Sequence, residues 1–204
     1  MPAAIRPGVG PSARPSDADR YGWAGLSAEA LSATGAPAAR AIVRAQARTV
    51  GFVPAAGALS RGESLAPLVM AVARALLRFL AGDVAIIDSW PTWPWGDAFQ
   101  PGDRSMYRQR QLEPRLSELA PTPCGDQFAA AVALHATLES RPATTAVVLA
   151  NLTAYSKPGV VPSVVDQLDG VVVVAARHRT HVGGLGRMRA YIPEAKRLGV
   201  LLVG

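Results

Sequence analysis

The chain has 204 residues, half of them hydrophobic, which suits one domain with a sizeable core. Its formal charge of +6 comes almost wholly from arginine, Lys157 and Lys196 being the only lysines, so the surplus reflects base composition as readily as an anionic partner. A single cysteine, Cys124, excludes an internal disulfide and a cysteine-based zinc cluster and suits a reducing compartment.

Residues 1–22 hold four prolines and no hydrophobic period, which predicts a disordered arm without the apolar core of a signal peptide. From residue 23 to 204 the pattern reads as a single α/β domain. Weak helical patterning between Leu26 and Arg48 is split by Gly35 and Pro37 and predicts two short helices at the edge of the domain. Five apolar, β-branched runs follow: Thr49–Val53, Val84–Asp88, Thr145–Leu149, Gly170–Ala175 and Gly199–Val203. Continuous apolar runs mark strands buried on both faces, and the helix-like segments between them imply right-handed crossovers. The expected fold is therefore doubly wound α/β, with a mainly parallel sheet of five or more strands.

Between the first strand and the run Leu65–Leu80 lies Gly57-Ala58-Leu59-Ser60-Arg61-Gly62-Glu63-Ser64. Its spacing and its strand-to-helix context are those of a phosphate-binding P-loop, which places a lysine before the Ser/Thr. Here that position holds Glu63, a negative charge where an anion would sit. The run from Leu65 to Ile87 is broken by Arg74, Arg78, Gly82 and Asp83, so it reads as a buried helix entering a strand and not as a membrane span.

The helical stripes are Leu68, Val72, Leu76, Phe79 and Leu80 in the first helix, and Phe128, Val132, Leu134, His135 and Leu138 in the second. Leu185, Met188, Ile192 and Ala195 mark the last, and all three stripes read as core. After the second strand comes Trp90-Pro91-Thr92-Trp93-Pro94-Trp95, opening a long irregular stretch that runs to Pro123. Trp90, Trp93 and Trp95 either cap the sheet with apolar bulk or form an aromatic docking surface; the prolines favour docking. Arg104–Arg115 reads as a solvated face.

In the order of its strands and loops the chain resembles the MinD/ParA-like P-loop ATPases. It resembles most the cytoplasmic bacterial tyrosine kinase (BY-kinase) domains that accompany polysaccharide co-polymerases. The resemblance implies that Gly57, Gly62 and Ser64 keep a nucleotide-loop outline in which Glu63 replaces the lysine. It also implies that Asp88 is the first aspartate of an acidic motif whose second place holds Trp90. The Walker B aspartate has no counterpart in Ala150-Asn151-Leu152. Asp169-Gly170, the following strand and Thr180 match best, Asp169 as a strand-start residue. The tyrosine cluster that BY-kinases carry after the domain is not present by Gly204.

Three losses together predict a degenerate nucleotide site without phosphoryl transfer, because that chemistry depends on lysine and carboxylate-held magnesium. No catalytic residue, metal or cofactor is expected, residual ATP or ADP binding being the open exception. By resemblance the partner is a membrane polysaccharide co-polymerase or export protein, with a homo-oligomer as an option and nucleic acid disfavoured. The location is then cytoplasmic, peripheral to the inner membrane through that partner. The competing reading is a ParA/MinD-like nucleotide-binding protein acting on DNA or a membrane surface, motivated by the basic residues Arg177, Arg187, Arg189, Lys196 and Arg197. His178 and His181 read as part of a basic loop, and Tyr155-Ser156-Lys157 lacks the dehydrogenase spacing.

Overall fold

The computed structural model describes residues 27–59, 63–88, 107–121, 127–153 and 161–204. They form one sheet with helices on both faces. The strands are β1 (Thr49–Pro54), β2 (Asp83–Asp88), β3 (Tyr107–Glu113), β4 (Leu116–Pro121), β5 (Thr145–Asn151), β6 (Gly170–Ala176) and β7 (Arg197–Val203). The helices are α1 (Ala28–Ala45), α2 (Ala66–Leu76), α3 (Gln127–Glu139), α4 (Val161–Val165) and α5 (Val182–Tyr191). Strand order is β3-β4-β2-β5-β1-β6-β7, parallel throughout except for the β3–β4 pair. With β2 and β5 on one side of β1 and β6 and β7 on the other, the chain reverses its direction across the sheet at β1. Crevices at such reversals are where α/β sheets bind ligands.

All six residues of β1 are buried, as its unbroken apolar run predicts. Alternate residues along the central strands feed two cores. Val50, Phe52, Val147 and Leu149 pack with Ile42 of α1 and Leu68, Val72 and Leu76 of α2. Val53, Val148 and Ala150 pack on the other face with Leu134 and Leu138 of α3, Val164 of α4 and Met188 of α5. Val132 is 66% exposed, so the α3 stripe is narrower than its sequence suggests. His135 lies on the outer side of that helix, 3.4 Å from Glu139 one turn on.

Phe79 and Ala195, read as core, lie past the ends of α2 and α5 and are exposed. Two expectations about the elements also need correction. The segment before β1 is one helix, not two: α1 runs through Pro37, starting from a Ser27 cap whose Oγ accepts the Ala30 N–H. Gly35 serves the packing of that helix. A Cβ there would lie 3.0 Å from the backbone of Ala71, so its lack of a side chain lets α1 lie close against α2.

The second correction concerns the long stretch running to Pro123, expected to be irregular; Arg104–Arg115 within it, read as a solvated face, is exposed at Gln109–Gln111 and Arg115. Its described part is the edge strand β3, and with β4 it adds a hairpin inside the stretch expected to be irregular. Its polar alternation hides a strand because charge is paired across the ladder: Arg110 faces Glu118 in the register, Nη2 to Oε2 at 2.7 Å. Arg115, at a positive φ of 65° in the turn, donates to the Leu80 carbonyl and, at 2.8 Å, to the Gly82 carbonyl. The turn is thereby fastened to the start of β2.

Candidate functional site

At the carboxyl-terminal end of the sheet the tips of β2, β5, β1 and β6 stand in sequence, and the segment entering α2 crosses them. Gly57, Glu63, Ser64 and Asp88 are brought together there. Gly62, Trp90, Trp93 and Trp95 lie outside the described residues, as do Cys124 and Tyr155–Lys157.

Gly57 has φ +80°, and a Cβ on it would lie 2.9 Å from the Arg179 carbonyl oxygen. Both the left-handed backbone and the close approach require glycine. The loop leaving β1 is thus pressed against the loop leaving β6, which closes on itself: the Ala176 N–H donates to Thr180 Oγ1 at 2.9 Å, and the Thr180 N–H to the Ala176 carbonyl.

Glu63 does not face an open anion site. Arg179 reaches it from the β6–α5 loop, Nη2 to Oε2 at 2.8 Å and Nη1 to Oε1 at 3.5 Å. The Glu63 side chain is only 13% exposed and that of Arg179 43%. The hydrogen bond to Glu63 holds the guanidinium pKa above its ordinary value. A search of neighbouring sequence for a replacement lysine misses this residue. The β1–β6 pairing brings Arg179 to Glu63 from 116 positions away.

Beside this pair lies a buried polar knot. Asn151, 1% exposed at the end of β5, donates from Nδ2 to Ser64 Oγ at 2.9 Å and to Asp88 Oδ1 at 2.8 Å. Its Oδ1 accepts the Thr153 N–H at 3.1 Å and the Thr153 hydroxyl at 2.6 Å. An N–H can only donate, so the Thr153 contact fixes which end of the amide is oxygen. Thr153 Oγ1 in turn accepts the Leu65 N–H at 3.2 Å, and Ser64 Oγ accepts the Ala66 N–H at 3.2 Å. The Leu65 and Ala66 N–H groups at the entry to α2 are thereby satisfied by the chain itself.

A magnesium-nucleotide at this loop would need oxygen donors around the ion and a cation against the phosphates. The donor set does not fit. Asn151 turns two N–H groups, not a carboxylate, toward Ser64 and Asp88, and Glu63 brings negative charge to the lysine position. Among the described residues no three His, Cys, Asp or Glu side chains converge, and His178 and His181 gain no third ligand. Asp88 also borders a groove of about 380 Å³ whose walls include Met70, Arg74, Arg78, Arg110 and Leu112.

At the opposite end of the sheet the Asp169 carboxylate accepts the N–H groups of Arg48 and Thr49 at 2.8 and 2.9 Å, and the Asp169 N–H donates to Thr49 Oγ1 at 2.9 Å. Burial pushes its pKa up, but the two N–H donors, Thr49 and the charge of Arg141 outweigh it and leave the pKa below the usual carboxylate value. It joins the starts of β1 and β6, the structural role expected of a strand-start residue.

No family model and no curated protein sequence matches the chain. Solved structures do. The BceF tyrosine kinase domain superposes with a TM-score of 0.62 at 16% identity, over 87% of this chain and 77% of that one. The VpsO kinase domain gives 0.63 at 13% identity, over 86% and 95%. Both are BY-kinase domains, and this chain is similar to them in fold.

Proposed function

We propose that the chain is a catalytically inactive relative of BY-kinase domains, kept to bind a partner in bacterial exopolysaccharide, capsule or adhesin synthesis and export. The observation that carries this reading is the Asn151 amide, which donates to both Ser64 and Asp88 where phosphoryl transfer needs a carboxylate-held cation. The Glu63–Arg179 pair supports it by filling the lysine position with a neutralised acid.

The partner on this reading is a membrane polysaccharide co-polymerase or export protein, and the chain works from the cytoplasm beside the inner membrane. No helix among the described residues is long and apolar enough to cross a membrane. The proposed docking residues are Trp90, Trp93 and Trp95.

Replacing those three tryptophans with alanine should abolish co-purification with a co-polymerase encoded beside this chain, while circular dichroism stays that of the parent. Retained co-purification would reject the docking role. Purified protein should neither hydrolyse ATP nor phosphorylate itself, and Glu63→Lys alone should not restore either activity, because the carboxylate at position 151 is still missing. Measurable turnover in the parent protein would overturn the inactive reading.

A further inference from the structure

We infer that the chain carries its own replacements for both ions of a magnesium-nucleotide, and that these latch the strand tips in a single arrangement whatever nucleotide is present. This rests on the reading of a site without phosphoryl transfer and adds how that site is held.

The cation's substitute is the Asn151 amide. Its two N–H groups are positive ends directed at a hydroxyl and a carboxylate, Ser64 Oγ and Asp88 Oδ1, the pair of oxygens a divalent ion would draw together. The same side chain uses its oxygen on Thr153, so all its hydrogen-bonding capacity is taken up inside the protein. The anion's substitute is the Glu63 carboxylate, gripped by both arms of the Arg179 guanidinium.

These contacts tie β5, β2, the segment entering α2 and the β6–α5 loop. In nucleotide switches such loops are held by the terminal phosphate and its metal and relax on hydrolysis. Here covalently attached side chains do the holding, so no ligand departure can release them. A face built on these loops presents one shape constantly, and a ligand with no differential affinity for two states cannot change it.

The test uses the full-length purified protein with three probes: Mn²⁺ alone, inorganic pyrophosphate, and Mg²⁺ with ADP. The parent should leave the Mn²⁺ resonance signal at its free value and show no melting shift with pyrophosphate or Mg²⁺–ADP. Asn151→Asp restores an oxygen donor and should bind Mn²⁺ at least about tenfold more tightly than the parent. Glu63→Gln removes the negative charge at the lysine position and should bind pyrophosphate more tightly by a similar factor, on the order expected for removing one poorly screened like charge.

The inference is overturned if the parent binds either probe as well as its variant. It is equally overturned if Mg²⁺–ADP alters parent hydrogen exchange at residues 147–153 and 177–182. Should Asn151→Asp fail to fold, Glu63→Gln and the parent exchange data decide alone. Co-purification with the partner is a separate readout: its loss from the parent sinks the partner reading and leaves the latch, while Mn²⁺ binding by the parent does the reverse.

Discussion

The two ends of the sheet are both fastened by polar side chains, and they are fastened differently. At the amino-terminal end Asp169 grips the backbone N–H groups of Arg48 and Thr49. Any residue but proline supplies those donors, so the clasp constrains only Asp169 and the Thr49 hydroxyl that accepts the Asp169 N–H. At the carboxyl-terminal end Asn151, Ser64, Asp88, Thr153, Glu63 and Arg179 hold one another mostly side chain to side chain. That knot constrains every member, and it is built at the strand tips, where open α/β sheets bind ligands. Burial separates the two further: Asn151 is 1% and Asp88 7% exposed, whereas Asp169 is open to solvent.

Breaking the knot should therefore cost far more than opening the clasp. Asn151→Ala removes a donor from the buried Asp88 carboxylate and an acceptor from Thr153, and should lower unfolding free energy by about 3 kcal/mol in urea titration. Gly57→Ala forces an L-residue into a left-handed conformation against the Arg179 carbonyl, and should cost about 2 kcal/mol by the same measurement. Arg179→Ala, acting on a partly exposed pair, should lower the melting temperature only slightly, and added salt should shrink the difference. A large, salt-independent loss there would mean that the ion pair, not Asn151, is the centre of the knot.

Asp169→Asn should have the smallest effect of the four, present at neutral pH and vanishing in acid. Because its folded pKa is lowered, its stabilisation is fully present above the unfolded value of about 3.8 and is lost as pH falls through the folded value. The parent should thus lose stability more steeply than the variant as pH drops below about 4. Parallel acid limbs in the two melting curves would show that the clasp contributes nothing through its charge.

Four of the five apolar runs were legible because both faces of those strands are buried, which leaves an unbroken hydrophobic signature; the fifth, β7, keeps the apolar run although its Val200 and Leu202 are exposed. The hairpin was not legible. β3 presents Arg110 and Glu113 at the edge of the sheet and pairs its charge with Glu118 and Arg74, so its strand nature lies in partners and not in periodicity. Gly57, Glu63, Ser64 and Asp88 could be picked out by spacing, and the missing carboxylate after β5 was visible as an absence. What replaces it was hidden for the same reason as Arg179. Asn151 lies 87 positions from Ser64 and 63 from Asp88, and only the strand order makes them neighbours. A side chain that ends a strand next to β1 is the signal to look for in such a sequence.

The central position of β1 also governs the timing of folding. Its ladder partners are Thr49 to Val148 on one side and Val50 to Gly170 on the other, roughly a hundred residues further along the chain. During synthesis the apolar strand leaves the ribosome long before either partner exists, and β2 also waits for β5. The sheet therefore closes late and from its middle, and until then the stretch from Thr49 to Pro54 is an unpaired, uncharged strand in need of shelter.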